Sequence, residues 1–565
     1  MKPYQLLIFT IQLTILTSMS KLISPLEAFL HWETSTPNKV FLNQPINGKH
    51  VSYTFKEAGL EARKIASHLL SLKLPKRSHI ALLSKNCAHW IISDIAIMMA
   101  DHVSIPVYPT LNDASINQVL VHSESKAIIV GKLDDYKSQK AGVPDIHKIS
   151  IGIYGENEGE LWEDIVESTS PLSEIPEMNL DDLHTIIYTS GTTGNPKGVM
   201  HTIRNFSESI NLFSGEVELG DHPKLFSYLP LAHVAERMGI GTHGIYKGAE
   251  FSFPESLATF ASDLERCQPE AFFAVPRIWT KFQEKILEKL PQKKLKILLS
   301  IPLVNTMIRK KLKSKLGLLH SKYFFSGAAP LSSSLIKWYE TIGISILQVY
   351  GMTEDCILSH ANLKGRNKIG TVGKPWPTVQ IKLSEEGEIR IKNKCLFKGY
   401  FKAPEITAEV FTKDGFFKTG DIGEYDHDGY MTITGRVKDQ FKTDKGKYIS
   451  PAPLELMMSK NTDIEQICIV GTGIPQPIAL VTLSELGKAK SKDDLVNGLN
   501  DTKESVNPNF EKHEKIEKVI VMKEDWNVDN GLTTPTLKVK RNSIEKIHMP
   551  YYKQWFESSD KVIFE

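Results

Sequence analysis

The stretch 188–200 reads YTSGTTGNPKGVM and gathers the residue types that hold an anion. Gly191, Gly194 and Gly198 let the backbone come close to a ligand. Thr189, Ser190, Thr192 and Thr193 offer hydroxyl donors, and Lys197 offers a cation. Successive amides in such a loop can form a nest for phosphate oxygens. This chemistry suits a triphosphate. No Gly-Lys-Ser/Thr follows at the spacing of a Walker A loop, so the loop is of another kind. Taken alone, it would also pass as a solvated glycine-threonine turn.

Other groups are less telling by themselves. SGAAPL at 326–331 places Gly327 and Ala328 where small residues leave room for a flat ring, or simply make a tight helix entry. QVYGMTE at 348–354 holds Tyr350, Gly351, Thr353 and Glu354 at the end of an apolar run. Thr353 can donate to a phosphate. Alone, Tyr350 reads as a core aromatic and Glu354 as a surface acid. Asp421 follows Thr419-Gly420 and would otherwise be an Asx-turn residue. His233, in LPLAHVAER, is either a pocket-wall side chain or a satisfied structural histidine. Lys538, Lys540 and Arg541, in TPTLKVKR, could each be a plain surface charge.

The elements that must position these residues alternate between strand and helix patterns. Residues 80–83, 103–107 and 127–130 read as strands, with helical patterns at 88–100 and 116–122. That rhythm belongs to a largely parallel sheet. A polar stretch, 134–182, interrupts it. Strands are expected again at 185–188, 225–229, 272–275, 323–325 and 344–349, each followed by a loop and a helical pattern. Helix is expected from Thr202. From Val379 the texture becomes short alternating strands with turns such as Asp426-His427-Asp428-Gly429, which suggests a small β subdomain. After Gly435 a basic linker, RVKDQFKTDKGK, leads to a final mixed segment.

Together the motifs resemble the adenylate-forming superfamily of acyl-CoA synthetases, luciferases and peptide-synthetase adenylation domains. The resemblance runs in order through 188–200, SYLPLAHVAER at 227–237, 326–331, 348–354, DGFFKTGD at 414–421, GRVKD at 435–439 and 534–541. It implies an α/β fold: a large N-terminal domain of βαβ subdomains plus a small β subdomain, hinged to a small α+β C-terminal domain. The expected boundaries are 19–435 for the adenylation domain, 436–442 for the hinge linker and 443–565 for the mobile domain. It implies an ATP site from Thr189, Ser190, Gly191, Thr192, Thr193, Gly194, Lys197, Gly327, Ala328, Tyr350, Gly351, Thr353, Asp421 and Arg436. Tyr350 would stack on adenine, Asp421 would accept the ribose hydroxyls, and Glu354 with Thr192 would hold Mg²⁺. Lys538 would reach the carboxylate and α-phosphate, with Lys540 as the alternative in register. Lys442 would act after the small domain rotates about Lys438, and His233 would border the acyl pocket. Lys418 and Phe416 depart from the His and Trp that similar enzymes often carry near these places.

The resemblance further implies ATP-dependent activation of a carboxylic acid. SYLPLAHVAER and TPTLKVKR point to long-chain fatty acids, with coenzyme A as co-substrate. A fatty acyl-AMP ligase loading a carrier protein and a catalytically silent fatty-acid or nucleotide binder are the rivals. The intact Lys197, Glu354, Asp421 and Lys538 speak against silence.

Composition bounds the rest. The 565 residues exceed one compact core. Lys+Arg is 68 against 66 Asp+Glu, which gives no reason to expect nucleic acid as a partner. Cys87, Cys267, Cys356, Cys395 and Cys468 are scattered, neither a disulfide framework nor a zinc pattern, and fit a reducing compartment. The apolar run 6–16 is too short to span a bilayer and has no small-x-small cleavage site after it. Residues 1–18 therefore read as an over-extended start before Met19 or a weak anchor. Between 281 and 315, eleven Lys/Arg face only Glu284 and Glu288, with leucines and isoleucines throughout. This segment is either a core-packing helix pair or a peripheral contact with an anionic membrane. A cytoplasmic protein, at most peripheral at a membrane's inner face, is expected.

Overall fold

A computed structural model of the protein describes residues 22–189, 196–528, 530–534 and 538–565. The segment 1–18 and the loop residues Ser190, Gly191, Thr192, Thr193 and Gly194 lie outside the described residues.

Short runs of branched apolar residues build two large sheets. One has eight strands, in the order Gly399–Tyr400, Lys197–Thr202, Leu183–Thr189, Val103–Val107, His79–Leu83, Ala127–Val130, His147–Ser150 and Glu160–Leu161. Its central strands pair in parallel and are buried on both faces, in keeping with a mostly apolar texture that only His79, Ser104 and Pro106 interrupt. The other sheet has nine strands, with a parallel centre through Ile346–Tyr350, Tyr323–Ser326, Ala271–Ala274 and Lys224–Phe226. Helix Ala88–Met99 is buried along its whole length and touches strands of both sheets. It can be apolar all round because no face meets water.

Helices start where side chains satisfy their first amides. Ser24 with Glu27, Thr54 with Glu57 and Thr202 with Asn205 form capping boxes ahead of Pro25–Ser35, Phe55–Ser71 and Ile203–Glu216. A four-stranded antiparallel sheet follows, Gln380–Leu383, Glu388–Lys392, Phe417–Tyr425 and Met431–Arg436. The final segment has its own four-stranded sheet, Ile464–Val470, Ile478–Leu483, Lys518–Val521 and Val562–Phe564. An Arg277–Glu465 ion pair joins this segment to the helix Pro276–Lys289.

Three expectations change in the structure. Helix begins where expected, with Thr202 as the N-cap of Ile203–Glu216, but an unforeseen strand, Lys197–Thr202, antiparallel to Leu183–Thr189, precedes it. The polar stretch 134–182 contains strands His147–Ser150 and Glu160–Leu161, which extend the sheet at its far edge. Strand Lys224–Phe226 stops short of Leu229 because the Tyr228 amide turns inward to donate to Glu236 Oε1 at 3.1 Å. Among the described residues, no helix is long and apolar enough to cross a membrane.

Candidate active site

Asp421 and Arg436 lie on adjacent antiparallel strands and are direct cross-strand partners. Arg436 Nε donates to Asp421 Oδ1 at 2.6 Å, and Tyr350 Oη donates to Oδ2 at 2.7 Å. Asp421 is only 4% exposed, so two donors fix a carboxylate that water scarcely reaches. Each of its oxygens has lone pairs left for another donor, such as a diol. The Asp421 charge holds the Arg436 guanidinium above its ordinary pKa. Burial first, then Asp421, raises the Tyr350 hydroxyl well above the usual phenol range.

The C-terminal segment adds Lys538 to this cluster. Thr534 N–H donates to Lys538 O at 2.8 Å, Lys538 N–H returns to Thr534 Oγ1 at 3.1 Å, and a Thr533–Val539 bridge closes the turn. Lys538 keeps exposed surface in the cleft yet is packed round by protein. That desolvation, with Arg436 second and Asp421 opposing, brings its ammonium down to about 8. Of the neighbouring cations, Arg541 is bound to Glu455 and the Ile469 carbonyl, and Lys540 stands at the N-cap position of helix Arg541–His548 without a side-chain cap bond.

His233 faces Lys538. Burial, then the Lys538 charge, pulls its imidazole down to about 3. It is also structural, since its Nδ1 accepts the Ala235 amide at 3.2 Å and caps the next turn. Beneath it, burial pushes the Glu236 carboxyl up to about 8.

A second cluster forms around Glu354. The edge strand Gly399–Tyr400 pairs with Lys197–Thr202 and so sets Tyr400 beside Lys197. Tyr400 Oη donates to Glu354 Oε1 at 2.7 Å, and Lys197 Nζ lies 4.9 Å from the Tyr400 ring centroid. Burial raises the Glu354 pKa, and Lys197 and Arg436 oppose it. Thr189 is the strand partner of Lys197 across the loop. Tyr400 carries no motif of its own; only this long-range strand pairing exposes its place.

Between the clusters runs a wall of bare backbone. A Cβ on Gly351 would sit 2.3 Å from the Ile357 carbonyl carbon, so no side chain fits. A Cβ on buried Gly327 would meet Val349 Cγ2 at 3.0 Å, and exposed Ala328 adopts φ +66 beside it. The Thr353 carbonyl makes a 2.8 Å contact with His201 Nε2. Lys438 is exposed in the turn after strand Met431–Arg436. Lys442 lies apart, its Nζ 5.5 Å from the Tyr448 ring centroid in its own hairpin.

Behind this wall is a narrow apolar cavity, partly open to solvent, with room for about 30 Å³ of water-sized centres. Phe213, Gly239, Ile240, Phe273, Val349 and Trp376 line it, and Ala235 connects it to His233. His243 also lines it, held neutral by burial with a pKa near 3. The π-helix Arg237–Thr242 supplies Gly239 and Ile240. It is anchored by the buried Arg237, whose Nη2 donates to Asp94 Oδ1 at 2.7 Å and Nη1 to Thr185 Oγ1 at 2.8 Å.

Comparison with known proteins gives the family and the fold. A family model of AMP-binding enzymes matches residues 29–401, and one of the AMP-binding enzyme C-terminal domain matches 438–554. A long-chain-fatty-acid–CoA ligase of Mycobacterium bovis is 27% identical, covering 91% of this chain and 93% of that protein. Long-chain-fatty-acid–CoA ligase 5 of Rattus norvegicus is 28% identical, covering 92% of this chain and 86% of its own. In fold, the chain is similar to the adenylation domain of a carboxylate reductase from Mycobacterium chelonae. The TM-score is 0.79 at 20% identity, with 96% of this chain and 92% of that one covered.

Proposed function

We propose, since the chain belongs to the AMP-binding enzyme family, that it activates a long-chain fatty acid with ATP and passes the acyl group to coenzyme A. The observation that carries this reading is the meeting of Lys538 with Asp421, Arg436 and His233 near a narrow apolar cavity. The long-chain ligases at 27–28% identity over nine-tenths of the chain support the same substrate class. A carrier-protein acceptor has less support.

Hydroxide is a poor leaving group, so the acid must first be activated. The fatty carboxylate attacks the α-phosphorus of ATP, an acyl-phosphate bond forms, and pyrophosphate departs. This step brings anions together and builds charge on the phosphoryl oxygens. The Lys538 ammonium favours that transition state over the ground state. Asp421 accepts the ribose hydroxyls while Arg436 and Tyr350 hold its carboxylate in place. Tyr350 and the bare backbone at Gly327, Ala328 and Gly351 flank adenine. Lys197, Thr189 and the 190–194 loop hold the outer phosphates, with Thr353 beside them. The thiol of coenzyme A then attacks the acyl carbon, and AMP leaves.

Mg²⁺ suits Glu354, a hard oxygen donor whose burial calls for a counter-cation. Thr192 would complete its protein contacts, and the ion when bound would neutralise phosphate charge. The domain reading is 19–435 for adenylation, 436–442 as linker and 443–565 as the mobile part. Rotation about Lys438 would withdraw Lys538 and present Lys442 for the second step. Acid-dependent exchange of labelled pyrophosphate into ATP tests the reading. No exchange with acids of two to about twenty carbons would return the protein to a binding role.

We also propose that 281–315 touches an anionic membrane, from which a long-chain acid is drawn. Ile297, Leu303 and Met307 are 63%, 83% and 71% exposed amid the lysines of helices Gln292–Ser300 and Val304–Lys315. Binding to anionic vesicles should fall with salt and with reversal of these lysines. Equal vesicle recovery for wild type and charge-reversed protein would refute the contact.

A further inference from the structure

The sheet edge farthest from Lys197 carries a separate polar cluster. His68 stands in the last turn of helix Phe55–Ser71, His147 opens strand His147–Ser150, and Glu160 opens strand Glu160–Leu161. The two strands pair in parallel, Ile149 opposite Glu160. Gly159 makes this approach possible. It has φ +81, and a Cβ there would lie 2.3 Å from the Lys148 carbonyl oxygen.

His68 Nε2 lies 3.1 Å from Glu160 Oε2, and His147 Nε2 lies 3.2 Å from Glu160 Oε1. One donor atom from each residue falls within 4.8 Å of the other two. Both Nε2 atoms are buried, and neither has a hydrogen-bond partner, because the rings are not aimed at the oxygens. Two orphaned ring nitrogens beside a carboxylate are costly if nothing sits among them.

We propose that His68, His147 and Glu160 form a binding site for a divalent transition metal of the zinc type. Two imidazoles and a carboxylate are donors that Zn²⁺ takes, at about 2.0–2.2 Å each. Tetrahedral geometry at that length puts neighbouring donors about 3.3 Å apart; each histidine nitrogen already lies that near one of the two Glu160 oxygens, and small side-chain rotations would bring one atom of each residue from within 4.8 Å to that spacing. Glu160 is 47% exposed on its side chain, which leaves a fourth position open to water. Mg²⁺ prefers an all-oxygen shell and would not compete. The three ligands come from a helix and two edge strands, so the ion would tie that helix to the sheet and close an exposed edge.

The test uses the full chain, stripped with a chelator and titrated with Co²⁺ in the presence of Mg²⁺. The expected result is one Co²⁺ per chain with visible d–d absorption, displaced by Zn²⁺. His147→Ala and Glu160→Gln should each weaken Co²⁺ binding at least about tenfold, since even outer-shell partners of metal ligands cost that much. Both should also lose the rise in melting temperature that Zn²⁺ gives the wild type. Pyrophosphate exchange should be unchanged in both variants, which keeps this test separate from the adenylation reading. Absence of Co²⁺ binding by the wild type, or equal binding by wild type and both variants, overturns the proposal.

Discussion

Lys538 allows a sharp test through pH. Its ammonium titrates at about 8, because desolvation and Arg436 outweigh the pull of Asp421. Below that pH the charge proposed to steady the phosphoryl oxygens is present, and above it the charge is lost. The kcat/KM for adenylation should therefore be level near pH 7 and fall tenfold per unit above pH 8. By pH 9 roughly a tenth of the enzyme would keep the ammonium, the ordinary behaviour of one essential acid. Bound ATP brings phosphate anions to Lys538 and favours its charged form, so the limb in kcat should lie at higher pH than the limb in kcat/KM. Lys538→Arg provides the control. A guanidinium stays charged throughout, so this variant should be slower overall, from altered geometry, but without the alkaline limb. Single-turnover acyl-AMP formation from pH 6.5 to 9.5 measures both. A wild type level through pH 9.5, or the same limb in Lys538→Arg, would refute the role given to Lys538.

Three further outcomes follow from particular contacts. Tyr400→Phe removes the 2.7 Å bond to Glu354; a hydrogen bond to a charged group is worth about 1.5–3 kcal/mol, so kcat/KM for MgATP should drop about ten- to hundredfold, and unchanged kinetics would exclude Glu354 from the site. Gly239→Leu puts a side chain into the cavity, where a Cβ meets nothing closer than Ile357 Cδ1 at 3.6 Å; the preference among acids, read as kcat/KM, should move to shorter chains, and an unmoved profile would place the acyl chain elsewhere. Arg237→Met strands Asp94, whose partner is 2.7 Å away and only 2% exposed in its side chain; urea unfolding should show a loss of about 3–5 kcal/mol, most of it recovered by adding Asp94→Leu.

How much was legible depended on where the information sits. Strand Ala127–Val130 ends where its apolar run ends, since both faces are buried, and Val103–Val107 is legible from the Val-x-Ile-x-Val alternation on one face. Strand Lys197–Thr202 was hidden, because its pairing is decided by Leu183–Thr189 and Gly399–Tyr400 on either side and not by its own mixed sequence. Asp421, Arg436, Tyr350 and Lys538 could be picked out by motif, but not the cross-strand register that joins the first two. Tyr400 and the cavity residues Phe213, Phe273 and Trp376 come from separated segments that meet only in three dimensions. His68, His147 and Glu160 escaped for the same reason, being spread over about ninety residues with no ligand spacing to read.

The central claim is that one site joins a long-chain acid to AMP and then to a thiol. Its most direct measurement follows the products of the full chain given ATP, Mg²⁺, coenzyme A and saturated acids of graded length. The account predicts AMP and pyrophosphate in equal amounts, with acyl-CoA formed in step and rates highest for long chains. AMP release without acyl-CoA, or no AMP with any acid, would contradict it.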